Sequence, residues 1–468
     1  MVLCMRHTTS LRRFKRRAFS CKISKGRKTA AFIGLVIAAF TTYFVISGSG
    51  VFVYGAGASF VGGTALVGLA LTLESATRCV MLPISSQLGN KFGRKRTFNI
   101  GMIGYTLCCI LIAFGLSMEM FVAARMLMGI FWGMFMVTGM AMITDMYSTD
   151  ESPKRVGWYQ SCILISTLLG SPLAGVCADL VGWQFEFIAC IPLLVISFLL
   201  VSFCLPKQKD YQDEPIDVAG CVLMIVCLIP FSLVMSWGGT AYAWTDPLIL
   251  CLIAVAVVAF IAFLFAERKA QAPLFPAYLL KNKNFTMMFL MVFCFSLFNC
   301  AGNYAPSYMQ GVMGTSATIS GGIGLIGSIV AAVGASVIGS YVGKHGRFKG
   351  LLAIYAFLTL LAGICYFMVS PTCPWWLFYI VGTLAGAANC VQQVVPNTYP
   401  MVALPEKYIT TTMGLMTFAG SFANTVGTGF FGAIMNVSFD MVFQITPIFG
   451  ILMVVFWLFF KDTKKSNN

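Results

Sequence analysis

Charge is what this chain has least of. Lys, Arg, Asp and Glu make up 10% of its 468 residues, and 59% are hydrophobic, where a soluble domain carries roughly 25% charged residues. A water-soluble protein is excluded, and so is a disordered one, which would lack the apolar and aromatic side chains. Acids are scarcer than bases, 16 against 31. Histidine occurs twice, as His7 and His345, with no ligand-spaced partner. The 17 cysteines form no C-x-x-C pair and are strewn through apolar stretches such as Cys108-Cys109, Cys221, Cys227, Cys251, Cys294 and Cys390. Neither a metal centre nor a disulfide framework is expected from them; they read as small apolar fillers between helices. Also missing are a G-x-x-x-x-G-K-[ST] phosphate loop, an H-E-x-x-H pair and a G-x-S-x-G elbow. An ATP-driven pump and an enzyme are therefore disfavoured, and no cofactor is expected. No loop exceeds about 20 residues, which leaves little room for the output domain that a membrane sensor or scaffold would need.

What the sequence has instead is apolar length. A membrane helix needs about 20 apolar residues, and fourteen runs qualify: roughly 30–50, 63–85, 97–116, 119–142, 156–179, 186–205, 217–237, 247–266, 285–305, 318–341, 350–369, 376–395, 408–435 and 440–460. Gly238-Gly239 and Asp246-Pro247 punctuate the turn between the seventh and eighth. Cytoplasmic loops of membrane proteins collect Lys and Arg. Here all but two of the 31 bases fall in the termini and in alternate loops: ten in residues 1–28, then Lys91 to Arg96, Lys154-Arg155, Lys207 and Lys209, Arg268 to Lys283, Lys344 to Lys349, Lys407 and the tail. An even number of spans explains that segregation and predicts that both termini are cytoplasmic. The basic N-terminal stretch reads as a topology determinant touching anionic lipid rather than as a nucleic-acid arm. The first apolar run is long and lacks a small-residue cleavage site, so no signal-peptide cleavage is expected.

The spans divide into halves with similar punctuation. Gln87 to Arg96 after the second and Gly339 to Lys349 after the tenth are both tight, glycine-bearing, basic connections, the trace of two six-helix bundles around a central pathway. The expected architecture is all-α and membrane-integral: a basic tail over 1–28, an N-terminal bundle over 29–205, a linker with two inserted helices over 206–284, a C-terminal bundle over 285–460 and a short tail over 461–468.

Several motifs resemble those of the major facilitator superfamily of transporters, in its fourteen-span drug:proton antiporter branch, over about residues 30–460. Ser86 to Arg96 matches the loop motif G-x-L-a-D-r-x-G-r-k-r at Leu88, Gly93, Arg94, Lys95 and Arg96, with Ser86 and Asn90 in place of the Gly and the Asp. Arg125 with Gly129 matches R-x-x-x-G, and Gly170-Ser171-Pro172-Leu173-Ala174-Gly175 resembles the antiporter motif G-P-x-x-G-G. Gly182-Trp183, Trp244 and Tyr308-Met309-Gln310 with Gly314 and Ser316 follow the branch in order. The resemblance implies proton-driven export of small, largely apolar compounds by alternating access across a plasma membrane, by a monomer. It also implies conformational roles for Gly89, Asn90, Gly93, Arg94, Arg96, Gly170, Pro172 and Gly175. A second reading is proton-linked uptake or exchange of an organic anion: two intramembrane arginines (Arg78 and Arg125) against one glutamate (Glu74) would suit it, Ser171 and Val176 replace glycines of the antiporter motif, and the Asp that drug exporters carry in the first span is missing from Thr41 to Ser47.

Ionisable groups inside hydrocarbon are costly and tend to face the bundle interior. Three are expected there: Glu74 and Arg78, four apart on one helix face, and Arg125. Glu74 is the candidate proton carrier, since burial raises a carboxylate's affinity for protons and a nearby Arg78 lowers it. The alternative is a permanent ion pair that locks the second span. Arg125 cannot titrate; the resemblance implies that it assists proton transfer, and the residue itself could instead hold an anionic substrate, pair with an acid such as Glu119 or only pack. Trp132, Tyr159, Gln160, Asn299, Asn303, Tyr304, Asn389, Gln393 and Asn424 are the candidates for the substrate cavity, though any one of them could equally bond helix to helix, at about 0.6 kcal/mol each.

Overall fold

A computed structural model describes residues 24–59, 63–115, 117–148, 151–206, 216–239, 242–270, 273–275, 279, 281–315, 319–320, 322–403, 409–435 and 438–461. Among the described residues there are sixteen named helices: α1 (Lys25–Ser59), α2 (Gly63–Phe92), α3 (Arg94–Ala113), α4 (Met118–Met146), α5 (Ser152–Leu180), α6 (Gln184–Cys204), α7 (Val218–Trp237), α8 (Pro247–Lys269), α9 (Lys283–Gly302), α10 (Ala305–Gly311), α11 (Ile323–His345), α12 (Lys349–Phe367), α13 (Trp376–Ala403), α14 (Ile409–Met435), α15 (Phe439–Gln444) and α16 (Thr446–Phe459). Among the described residues there is no strand, only an isolated bridge between Gly238 and Tyr242. In hydrocarbon the backbone must satisfy its own hydrogen bonds, so apolar runs fold as helices. Each of the fourteen apolar runs overlaps a helix, and among the described residues eleven segments are long and apolar enough to cross a membrane.

Several helix starts carry side-chain caps. Ser117 accepts from Met120 N–H at the start of α4, Asp217 from Gly220 N–H at α7 and Asp246 from Leu248 N–H at α8. Gly93, at φ 91°, turns the chain sharply between α2 and α3 in a region closed to most side chains. Lys95 then donates to the carbonyls of Ser202 and Leu205, which the end of α6 leaves open. Two differences from the apolar runs stand out. The last run is broken: α15 stops at Gln444 and α16 restarts with Pro447 in its first turn, because proline has no N–H to continue the ladder. The ninth helix ends at Gly302, so Asn303 and Tyr304 lie in the turn that leads to α10.

Two apolar cores form. One gathers mainly side chains of α1–α6, among them Leu35, Met102, Phe135 and Leu194, joined by some from α7, α8 and α14; the other gathers mainly α9–α16, among them Phe295, Tyr355, Phe378 and Phe443. α7 and α8 pack on each other, with α7 also against α2 and α14. The two groups meet at the ends that carry the basic loops. There Gly157 of α5 lies against Gly339 and Ala335 of α11, so that a Cβ on Gly339 would fall 2.6 Å from the Pro153 carbonyl. Ser161 Oγ meets Ser336 Oγ at 2.8 Å, Gln160 Nε2 donates to the Gln393 carbonyl at 2.9 Å, and Gly414 of α14 approaches Leu82 and Ser86 of α2.

Candidate functional site

The charged centre is built by the closest approach of α2 and α4. Small residues let membrane helices come together, and Gly129 is the one that matters most here. A Cβ on it would collide with Thr77 Oγ1 and the Glu74 carbonyl. Thr77 in turn donates to the Met126 carbonyl across the helix pair at 2.9 Å, and Ser85 to that of Gly133 at 2.7 Å. One turn before Gly129, this approach brings Arg125 onto Glu74: Nη1 lies 2.6 Å from Oε2. Both are buried, Arg125 at 0% exposure and Glu74 at 3%. The guanidinium is flanked by the rings of Phe121 and Phe187, each centroid 5.4 Å away, a cation–π arrangement that desolvation strengthens.

Arg78 takes a secondary place. Its Nε is 4.0 Å from the other Glu74 oxygen, its side chain keeps 21% exposure, and its guanidinium lies 5.6 Å over the Trp132 ring. The expected Glu74–Arg78 pair is thus looser than the Glu74–Arg125 pair, and Glu119 is exposed at the start of α4 rather than paired with Arg125. Trp132 packs edge-on against Tyr43 at 5.8 Å, and its indole N–H has no acceptor among the described residues. The expectation that only three ionisable groups lie in the interior needs correcting: Glu186 on α6, at 2% exposure, is a fourth. It escaped the sequence reading because it stands at the first residue of an apolar run, where a boundary uncertain by 2–4 residues makes a buried acid look interfacial.

The polar candidates separate into groups. Gln160 reaches Gln393, and Gln393 Nε2 donates to Asn389 Oδ1 at 3.4 Å on the same face of α13. Tyr159 is buried with its hydroxyl 3.7 Å from Met136 Sδ. Asn424 accepts from Cys300 Sγ at 3.2 Å. Asn299 is half-buried at the end of α9, Asn303 is exposed and Tyr304 half-buried beyond it. Gln392, the polar neighbour of Gln393 on the same apolar run, joins them: it accepts from Tyr355 and donates to Ser296 Oγ at 3.1 Å. In the loop motif, Arg94 pairs with Asp145 of α4 at 2.5 Å, Gly89 abuts Thr138, Asn90 is half-buried and Arg96 exposed. On α5, a Cβ on Gly170 would strike the Phe44 carbonyl of α1; the side-chain surroundings of Pro172 and Gly175 lie outside the described residues.

A sequence profile described as Major Facilitator Superfamily matches residues 35–428. The chain belongs to that superfamily. This facilitator is 26% identical over 381 residues to a Bacillus subtilis protein named multidrug transporter protein MdtP, covering 80% of this chain and 70% of the relative. To multidrug resistance protein 3 of the same organism it is 24% identical over 357 residues, 76% and 69% of the two chains. Its fold is also that of the human organic anion transporter MFSD10 (TETRAN): a TM-score of 0.61 at 14% identity, over 93% of this chain and 98% of that one. The facilitator is a multi-pass membrane transporter rather than an enzyme, and its substrates are small molecules.

Proposed function

We propose that this facilitator is a proton-coupled secondary transporter of the multidrug-efflux type, working by alternating access on small, largely apolar organic compounds. The single observation that carries the coupling is the buried Glu74–Arg125 pair: a buried carboxylate, held by a permanently charged cation, releases or takes a proton according to whether that cation stays beside it. The multidrug names of two relatives support the substrate class. In this reading Arg125 is the fixed charge, Arg78 tunes it, and Trp132, Tyr159, Gln160, Asn299, Asn303, Tyr304, Asn389, Gln393 and Asn424 contribute to the substrate path, with Gln392 added from its bonds to Tyr355 and Ser296. Gly89, Asn90, Gly93, Arg94, Arg96, Gly170, Pro172 and Gly175 serve the conformational change. The fourteen-span count, the division at 29–205, 206–284 and 285–460, cytoplasmic termini, a plasma-membrane location and a monomeric state belong to the same proposal, supported by the fourteen helical runs and the one-sided placement of Lys and Arg.

The second reading, proton-linked movement of an organic anion, drew support from two interior arginines facing a single glutamate. Glu186 evens that balance, which leaves the anion reading with the partly exposed Arg78, the absent first-span Asp and the altered span-5 motif. Proteoliposomes with an imposed pH gradient separate the two. Drug efflux against proton entry is expected, whereas accumulation of an organic acid together with protons would establish the alternative. Glu74→Gln is expected to lower gradient-driven transport by on the order of 10²-fold or more. Transport at the parent rate would remove Glu74 from the mechanism.

A further inference from the structure

α6 begins Gln184-Phe185-Glu186-Phe187. Phe187 lies against the Arg125 guanidinium, and Glu186 beside it is 2% exposed. Its carboxylate fills the corner where α1, α5 and α6 converge: a Cβ on Gly48 of α1 would collide with both carboxylate oxygens and with Ala174 of α5. Neither Oε1 nor Oε2 meets a hydrogen-bond donor among the described residues. The charged group facing it is Arg125, from α4; the titratable neighbours are Cys190, one turn along α6, and Cys177 of α5, which faces Cys190. A bare carboxylate in such a place costs several kcal/mol. A neutral carboxylic acid does not. Arg125, for its part, is committed to Glu74 at 2.6 Å.

We propose that Glu186 is a second proton carrier, which alternates with Glu74 for the charge of Arg125. In the conformation described here, Glu74 is ionised against Arg125 and Glu186 holds a proton. When α6 and α4 shift so that the guanidinium turns to Glu186, that acid's O–H bond breaks and its proton passes to water; Glu74, released, takes one proton from water in turn. Glu74, Arg125 and Glu186 together carry no net charge at either stage. The proposal rests on the proton-coupled reading above and adds to it the group that holds the proton while Glu74 does not.

The test requires neither a substrate nor a gradient. Infrared spectra of the purified protein, recorded in a pH titration, register the C=O stretch of a protonated carboxylic acid. The parent protein is expected to show such a band at neutral pH, and Glu186→Gln, whose amide copies the shape of the neutral acid, to lose it. Glu74→Gln frees Arg125, so the Glu186 band is expected to titrate at least about one pH unit lower, a tenfold loss of proton affinity. Gly48→Ala, which presses a methyl group on the carboxylate, is expected to move the band without abolishing it. A band that persists in Glu186→Gln, or a Glu186 titration unmoved by Glu74→Gln, overturns the proposal. If the band behaves as stated while vesicles show no proton-driven transport, the transport reading fails and the exchange of Arg125 between two acids stands.

Discussion

At Arg125 a guanidinium is held between two phenyl rings and one carboxylate, with nothing left to water. Removing one member of a buried ion pair strands the other, at about 3–5 kcal/mol, whereas replacing both with neutral groups of similar size is often tolerated. Arg125→Met alone is therefore expected to lower thermal stability in detergent by more than the double replacement Arg125→Met with Glu74→Gln. Additive losses in that double-mutant cycle would mean that the two groups are not coupled. Lys at this position keeps a charge but not the planar group that lies along Phe121 and Phe187, and its transport is expected to fall well below that of the parent. Glu74, Arg78 and Arg125 were legible in the sequence because an ionised side chain stands out within an apolar run. The pairing was not. Spacing along one helix brings Glu74 to Arg78, and only the packing of α2 on α4 brings it closer to Arg125.

Between α2 and α4 the register is fixed by absences of side chain. Gly129→Ala adds a methyl that Thr77 and the α2 backbone cannot accommodate; it is expected to cost about 1–3 kcal/mol and to loosen the Glu74–Arg125 pair. The control is Gly324→Ala on α11, where a Cβ meets nothing within 4 Å. In that place Ala, the better helix former, is expected to raise stability by about 0.5–1 kcal/mol. Melting of the two variants side by side distinguishes a contact effect from helix propensity. Helices as such could be read from hydropathy; their ends could not. α2 continues to Phe92, seven residues beyond its apolar run, since a helix does not stop where the hydrocarbon does. The break between α15 and α16 is hidden for the opposite reason: Ile445 and Pro447 are apolar and leave the run looking continuous.

Across the whole molecule, the halves are joined at the ends that bear the basic loops, through α5 with α11 and α2 with α14. Hydropathy says which helices exist and the Lys and Arg say which ends share a side, but which side is shut depends on contacts hundreds of residues apart. Gly339→Leu is expected to wedge the seam open, so that a Cys placed at Ser161 gains labelling by a membrane-impermeant maleimide applied from the basic side, while transport falls. Unchanged labelling would show that the seam does not rest on this glycine. Epitope tags at both ends are expected to resist protease in right-side-out vesicles and to be cut in inverted ones.

The Gly157–Gly339 contact has a physical implication for how the closed state responds to its surroundings. Among the described residues no ion pair crosses the seam; it is closed by backbone against backbone and by a few neutral hydrogen bonds. Dissolved salt screens charges and has little hold on such a joint. Bilayer thickness does, because tilting of either half changes how α5 lies along α11. The balance between closed and open forms should thus answer to the lipid around the protein, its chain length above all, far more than to the ionic strength of the medium on either side.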